Sequence, residues 1–287
     1  MSPLRPIALT TLAMLAFASN SLLCRMALKH TNIDPVSFTS VRLISGALVL
    51  GVLLISRGDR VYKPGNWRSA FALFVYAAGF SVAYLRLPAG VGALLLFGAV
   101  QITMISYGLW TGERFQRSQV IGGVIALAGL IGLLLPGLST PPLLSSLLMV
   151  SAGIAWGVYS LRGQRTDDPS GTTAGNFLRA VPLAIALSVM TLPTFTWDNV
   201  GAGYAIASGA IASGLGYTIW YQAMPHLQAT QASIVQLSVP IITAIGAVFF
   251  LREPITLRLG LAAIAVLGGI ALVIWQRSPR KNQGICR

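Results

Sequence analysis

The chain has 287 residues, of which 55% are hydrophobic and only 9% charged. A soluble domain carries roughly 25% charged residues, so this composition cannot clothe a water-facing surface and excludes a soluble enzyme. The net charge of +13 is spread over loops without a basic face, an RNP-like motif or a zinc spacing. That excludes nucleic acid as a partner and leaves the lipid bilayer and a small-molecule substrate.

A bilayer crossing takes about 20 mostly apolar residues. Charged, Pro-rich and Gly-rich breaks divide the chain into ten such spans, at about 7–28, 35–56, 68–86, 88–110, 117–135, 142–162, 174–193, 200–223, 227–250 and 256–276. The expected class is therefore an all-α membrane protein. The first span also fits a secretory signal: Arg5, the apolar stretch Ile7–Phe17 and Ala16-Phe17-Ala18 before Ser19. Cleavage there would leave nine spans and break the repeat described below, so the ten-span reading is preferred. Within this span Asn20 and Ser21 are deep polar groups. An unpaired amide in hydrocarbon is costly, so Asn20 must face protein or a wet cavity.

The second span holds Arg42. In the third, Tyr76, Phe80 and Tyr84 recur every four residues and share one helix face. Leu87-Pro88 separates it from the fourth span, which carries Gln101 at depth, and Glu113 follows that span. The sixth holds Trp156 and Tyr159, three apart, and the seventh Arg179. In the eighth, Gly201, Ala205, Gly209 and Ser213 form a small-residue stripe that continues as Tyr217 and Tyr221, with Trp220 adjacent. Such a stripe lets helices approach closely. The ninth holds Gln236 and Pro240, and Glu253 follows it. The functional reading sets these rings and amides around a central substrate cavity; the alternative is ordinary packing, or interfacial belt positions for Tyr84 and Tyr221. Arg42 and Arg179 are either structural, bonded to backbone carbonyls, or receptors for a substrate carboxylate, whose geometry suits a guanidinium.

A shift of 140 positions sets Pro88–Glu113 on Gln228–Glu253 without gaps, matching Ala89 with Ala229, Ile102 with Ile242, Thr103 with Thr243, Ile105 with Ile245 and Glu113 with Glu253. Asp34-Pro35 with Arg42 recurs as Asp168-Pro169 with Arg179. Residues 1–137 and 138–287 thus read as two five-span repeats, and an odd number of spans inverts the second in the membrane. With a cytoplasmic N-terminus, Arg57, Arg60, Lys63 and Arg68, then Arg114 and Arg117, Arg162 and Arg165, and the basic tail all fall on the cytoplasmic side. Only Arg25, Lys29, Arg86, Arg252 and Arg258 oppose them. Both termini are therefore expected in the cytoplasm. Cys24 and Cys286 fall on opposite sides, so no disulfide is expected. No metal spacing or cofactor motif occurs, and a monomer is expected.

Ala223, Pro240, Leu251-Arg252-Glu253-Pro254 and the Gly260…Gly268-Gly269 spacing, with Thr111-Gly112-Glu113-Arg114 and Arg42 in the first half, resemble the EamA-type branch of the drug/metabolite transporter superfamily. The resemblance covers nearly the whole chain. It implies ten helices in two inverted repeats around a central cavity, alternating access, and export of small metabolites; the nearest likeness is to amino-acid exporters, the aromatic group included. One departure is Val100-Gln101, where a family-typical Pro would align with Pro240. Another concerns proton-coupled antiporters of the small multidrug type, which carry a carboxylate in the first span where this chain has Asn20 and Ser21. Since all seven acidic residues lie at span ends or in loops, facilitated diffusion or exchange is expected instead of carboxylate-based proton antiport. Glu113 and Glu253 read as structural, while Gly209 and Pro240 are candidate packing or flex points. The rival classes are another exporter of the superfamily, an intramembrane enzyme and a passive channel. An enzyme would need a catalytic cluster, and His30 and His226 fall on opposite sides with no acid at depth. A channel would show a filter or a charged ring.

Overall fold

The computed structural model describes residues 4–58, 65–111, 117–135, 140–163, 168–223 and 235–275. Their helices follow the spans: α1 Leu4–His30, α2 Pro35–Ser56, α3 Trp67–Tyr84, α4 Ala89–Trp110, α5 Arg117–Leu134, α6 Leu143–Gly163 and α7 Pro169–Met190. The eighth helix, α8, runs unbroken through three stretches, Asn199–Ile206, the π-helical Ala207–Leu215, and Gly216–Ala223. After it come α9, Ser238–Leu251, and α10, Leu257–Trp275. No strand occurs among the described residues. Five described helical segments are long and apolar enough to cross a bilayer on their own, and shorter apolar stretches lie in α5, α9 and α10. Outward positions such as Leu48, Val52, Val124, Ile131, Leu261 and Ile264 are exposed, which suits a lipid-facing surface.

The helix starts are written locally. Asp34 accepts from the N–H groups of Val36 and Ser37 ahead of Pro35, and Asp168 caps α7 through Gly171 N–H ahead of Pro169. Asn66 and Asp198 cap α3 and α8 in the same way. The repeated Asp-Pro is thus one device used twice. Pro240 acts at the other end of the scale. It has no N–H for the carbonyl four residues back and crowds that carbonyl, so the helical turn at Val235–Gln236 breaks at Leu237 and α9 starts at Ser238. The Ser238 hydroxyl donates to the Val235 carbonyl at 2.6 Å. Val100 stands at the matching place in the first half, and α4 passes through it without interruption.

Packing follows the repeat. The pairs α3–α6, α4–α6 and α2–α8 have as counterparts, five helices along, α8–α1, α9–α1 and α7–α3; α2–α7 and α5–α10 map onto themselves. All of these contacts are present. The closest pairs each join one half to the other, so the repeats interlock. At α5–α10 the close approach is at Gly269, where a Cβ would meet the Gly122 carbonyl at 2.5 Å, while Gly268 faces open space.

Cross-links between connections sort onto two faces. On one, Asp34 takes Thr196 N–H and Asp198 takes Asn32 N–H; Arg25 meets Glu253; and Arg258 donates to the Gly132 and Leu135 carbonyls and to Thr140. On the other, Arg162 donates to Ser69 and Asn66, and Asn66 N–H donates to Asn176. Each face holds the connections that alternate crossing would bring there, as inverted halves require.

Candidate functional site

The third-span stripe converges with α1, α6 and α8. Phe17, Asn20, Ser21, Tyr76, Phe80, Trp156 and Tyr217 line a central hollow together with Leu96 and Phe97 of α4. The rings brace one another: Tyr76 to Trp156 at 4.9 Å between centroids, Trp156 to Tyr217 at 4.8 Å, and Phe17 edge-on to Tyr217 at 5.8 Å. Tyr159 stacks on Trp156, and Trp220 joins through Phe17. The hollow holds only ≈ 10 Å³, about the room of one water. The rings close the hollow to anything larger.

Beside the hollow stands Arg42, 1% exposed. It lies roughly 10 Å along a helix about 33 Å long. Its guanidinium sits over the rings of Tyr76 and Phe80, at 5.0 and 4.9 Å from their centroids. Nη2 donates to the Tyr76 hydroxyl at 2.9 Å, and Nε and Nη2 both reach the Ser213 hydroxyl, at 3.4 and 3.3 Å. Nη1 has no partner. No carboxylate pairs with Arg42 among the described residues. The bonds run as a circuit out of α8 and back to it: Ser208 donates to Asn20, Asn20 donates to the Tyr76 hydroxyl at 3.0 Å, and Arg42 links Tyr76 to Ser213.

The π-helical stretch of α8 makes that circuit possible. Ser208 and Ser213 are five residues apart, which in an α-helix would turn them about 140° from each other. A π turn bonds residue i to i+5 and so stacks them on one face. Gly209, between them, packs so closely on α2 that a Cβ there would meet the Arg42 carbonyl and the Ser45 hydroxyl. Its role is close approach of the two helices.

The remaining expected residues lie elsewhere. Arg179 is half-buried on α7 and donates to the Gly175 carbonyl of its own helix at 3.0 Å. Gln101 is buried on α4 with Nε2 unpartnered, and it does not line the hollow. Gln236 is half-buried at the break before α9. Tyr84 is fully buried against Phe80 at 4.7 Å, not at an interfacial belt. Glu113, His226 and Cys286 lie outside the described residues, as does the side chain of Tyr221. Glu253 is structural: Oε1 takes Arg25 Nε at 2.8 Å with Lys29 at 3.7 Å, and Oε2 takes the Ala89 N–H that opens α4. Arg252, left-handed at φ 52°, turns the chain so that Glu253 N–H returns to the Ala247 carbonyl.

Phe17, Ser208 and Ser213 carry parts of the site that pattern alone did not assign to it. Phe17 had a signal, since it lies three and four residues before Asn20 and Ser21 on the same face. Ser208 had none under α-helical spacing.

The sequence profile described as the EamA-like transporter family matches this chain twice, at residues 4–135 and 143–275. An uncharacterized protein of Pseudomonas aeruginosa is 54% identical over 277 residues, covering 96% of each chain. An uncharacterized transporter of Archaeoglobus fulgidus is 23% identical over 85% of this chain and 90% of its own length. The uncharacterized transporter YoaV of Bacillus subtilis is 21% identical over 87% and 90%. A solved crystal structure superposes with a TM-score of 0.67 over 94% of this chain and 98% of its own, at 18% identity; that likeness concerns the fold. Two profile matches spanning nearly the whole sequence, on a helical bundle that repeats its own packing, lead to one assignment: the chain belongs to the EamA-like transporter family.

Proposed function

We propose that this transporter exports amino acids with aromatic or other hydrophobic side chains across the bacterial inner membrane, by alternating access. The observation that carries the reading is Arg42, a buried guanidinium with one nitrogen unpartnered and no carboxylate beside it, set on the rings that line the hollow. A substrate carboxylate supplies the missing partner in bidentate geometry, and the rings of Tyr76, Phe80, Trp156 and Tyr217 take the side chain. Loading swings Tyr76, which stands in contact with both Arg42 and the hollow.

Transport proceeds by facilitated diffusion or exchange. The described acids cap helices or follow them, at Asp34, Asp168, Asp198 and Glu253, so no carboxylate among the described residues stands at bilayer depth to carry protons. Both termini are cytoplasmic in this reading, and the face closed by Arg25 and Glu253 is periplasmic. Because the halves interlock, the moving bodies are helix groups drawn from both halves. The protein works as a monomer.

Counterflow of labelled L-phenylalanine in proteoliposomes tests this. The expected result is saturable flux, competed by L-tryptophan, without an imposed pH gradient. Flux restricted to cationic dyes, or strictly dependent on a pH gradient, would contradict it.

A further inference from the structure

The site that would bind an amino acid provides for one end of it and not for the other. Arg42 offers a full positive charge and open N–H groups to a carboxylate. For an ammonium group, the residues lining the hollow contain no Asp or Glu. The Asn20 carbonyl oxygen, the amide's sole acceptor, already receives Ser208. The hydroxyls of Ser21 and Tyr217, which line the hollow and have no partner among the described residues, and the ring faces remain as acceptors; all are neutral, and Arg42 already stands over Tyr76 and Phe80 at 5.0 and 4.9 Å. A bound ammonium would therefore lie near a guanidinium at low dielectric, where like charges repel strongly. A monocarboxylate without an amine leaves the loaded site neutral; a zwitterion leaves it with a net positive charge inside the bilayer, which is costly.

We propose that the central site also takes amphipathic organic monocarboxylates lacking an amine, and holds them more tightly than the amino acid of the same side chain. This rests on the reading of the ring cluster and Arg42 as the binding site. The aryl or alkyl group enters the aromatic hollow between Phe17, Trp156 and Tyr217. The carboxylate displaces Ser213 from Arg42 and engages the open Nη1 beside Nη2. Ser213 is thus a neutral placeholder for the ligand's oxygen in the shut state, held there by the π turn.

Calorimetric titration of the purified full chain in lipid nanodiscs decides it, with 3-phenylpropionate, L-phenylalanine and 2-phenylethylamine as probes of one side chain and three charge states. The expected order is acid, then amino acid, then amine, with the acid at least about tenfold tighter than the amino acid. Arg42→Gln should abolish binding of the acid, and Ser213→Ala should tighten it. L-Phenylalanine binding as well as or better than the acid overturns this inference and leaves the amino-acid carrier standing. Acid binding without L-phenylalanine binding supports the inference and removes the amino-acid carrier. Acid binding unchanged in Arg42→Gln, or absent in the native protein, overturns the inference. The ligand order on the native protein needs no variant to fold.

Discussion

Two arginines in this protein are used in opposite ways. Arg25, half-buried at the periphery, has Nε on Glu253 and Nη1 on the carbonyls of Tyr84 and Leu85. Arg42, at the centre, has two hydroxyls, two ring faces and one nitrogen with nothing. A carboxylate taken from Arg25 leaves an uncompensated charge, whereas Arg42 already stands uncompensated. The first arrangement holds helices together. The second stores an unmet demand, which is how a binding site differs from a rivet.

The comparison breaks most visibly at Glu253. Glu253→Gln should strand Arg25 and release the Ala89 N–H from a charged acceptor, costing roughly 3–5 kcal/mol as for other broken buried pairs. Thermal unfolding in detergent would show it, and a native-like melting temperature would mean the pair is ornamental. Next in size, Gly209→Ala should cost about 1–3 kcal/mol by overpacking, because the new methyl meets the Arg42 carbonyl and Ser45. It also pushes α8 off the central arginine, so flux should fall with stability. Deleting Ile211, exposed on the π stretch, should convert π to α turns while keeping the flanking helices in register. Counterflow should drop about tenfold or more as Ser208 leaves Asn20 and Tyr76 loses that support at the hollow, with little change in melting temperature. Equal flux would show that the π turn is incidental. Smallest of all, Arg179→Gln should change stability by no more than about 0.5 kcal/mol and leave counterflow intact.

Arg179 is the position at which the internal repeat misleads. Arg42 and Arg179 look equivalent because each follows an Asp-Pro start. Counted from the caps, however, the residue eight positions after Asp168 is Asn176, as Arg42 is eight after Asp34. Asn176 is buried and accepts from Asn66 N–H. The second half therefore puts an amide where the first puts a guanidinium, and the repeat is symmetric in packing but not in charge. The helices, their caps and the Tyr76–Phe80–Tyr84 stripe were legible because spacing, Asp-Pro and apolar length each act locally. Ser208 with Ser213 was not, because a five-residue interval carries no meaning until the helix widens. Nor was the depth of Tyr84, which depends on a partner from the same stripe and on the α3–α4 connection folding over it. Phe17 is legible in the sequence, three residues from Asn20 on the same helix face.

The central claim is that Arg42 serves a ligand and not the fold. Purified Arg42→Gln, measured side by side for thermal unfolding and for L-phenylalanine counterflow, tests it directly. The account expects a melting temperature unchanged or raised, since an uncompensated buried charge has gone, together with loss of counterflow. A steep fall in melting temperature, or counterflow that persists, would contradict it.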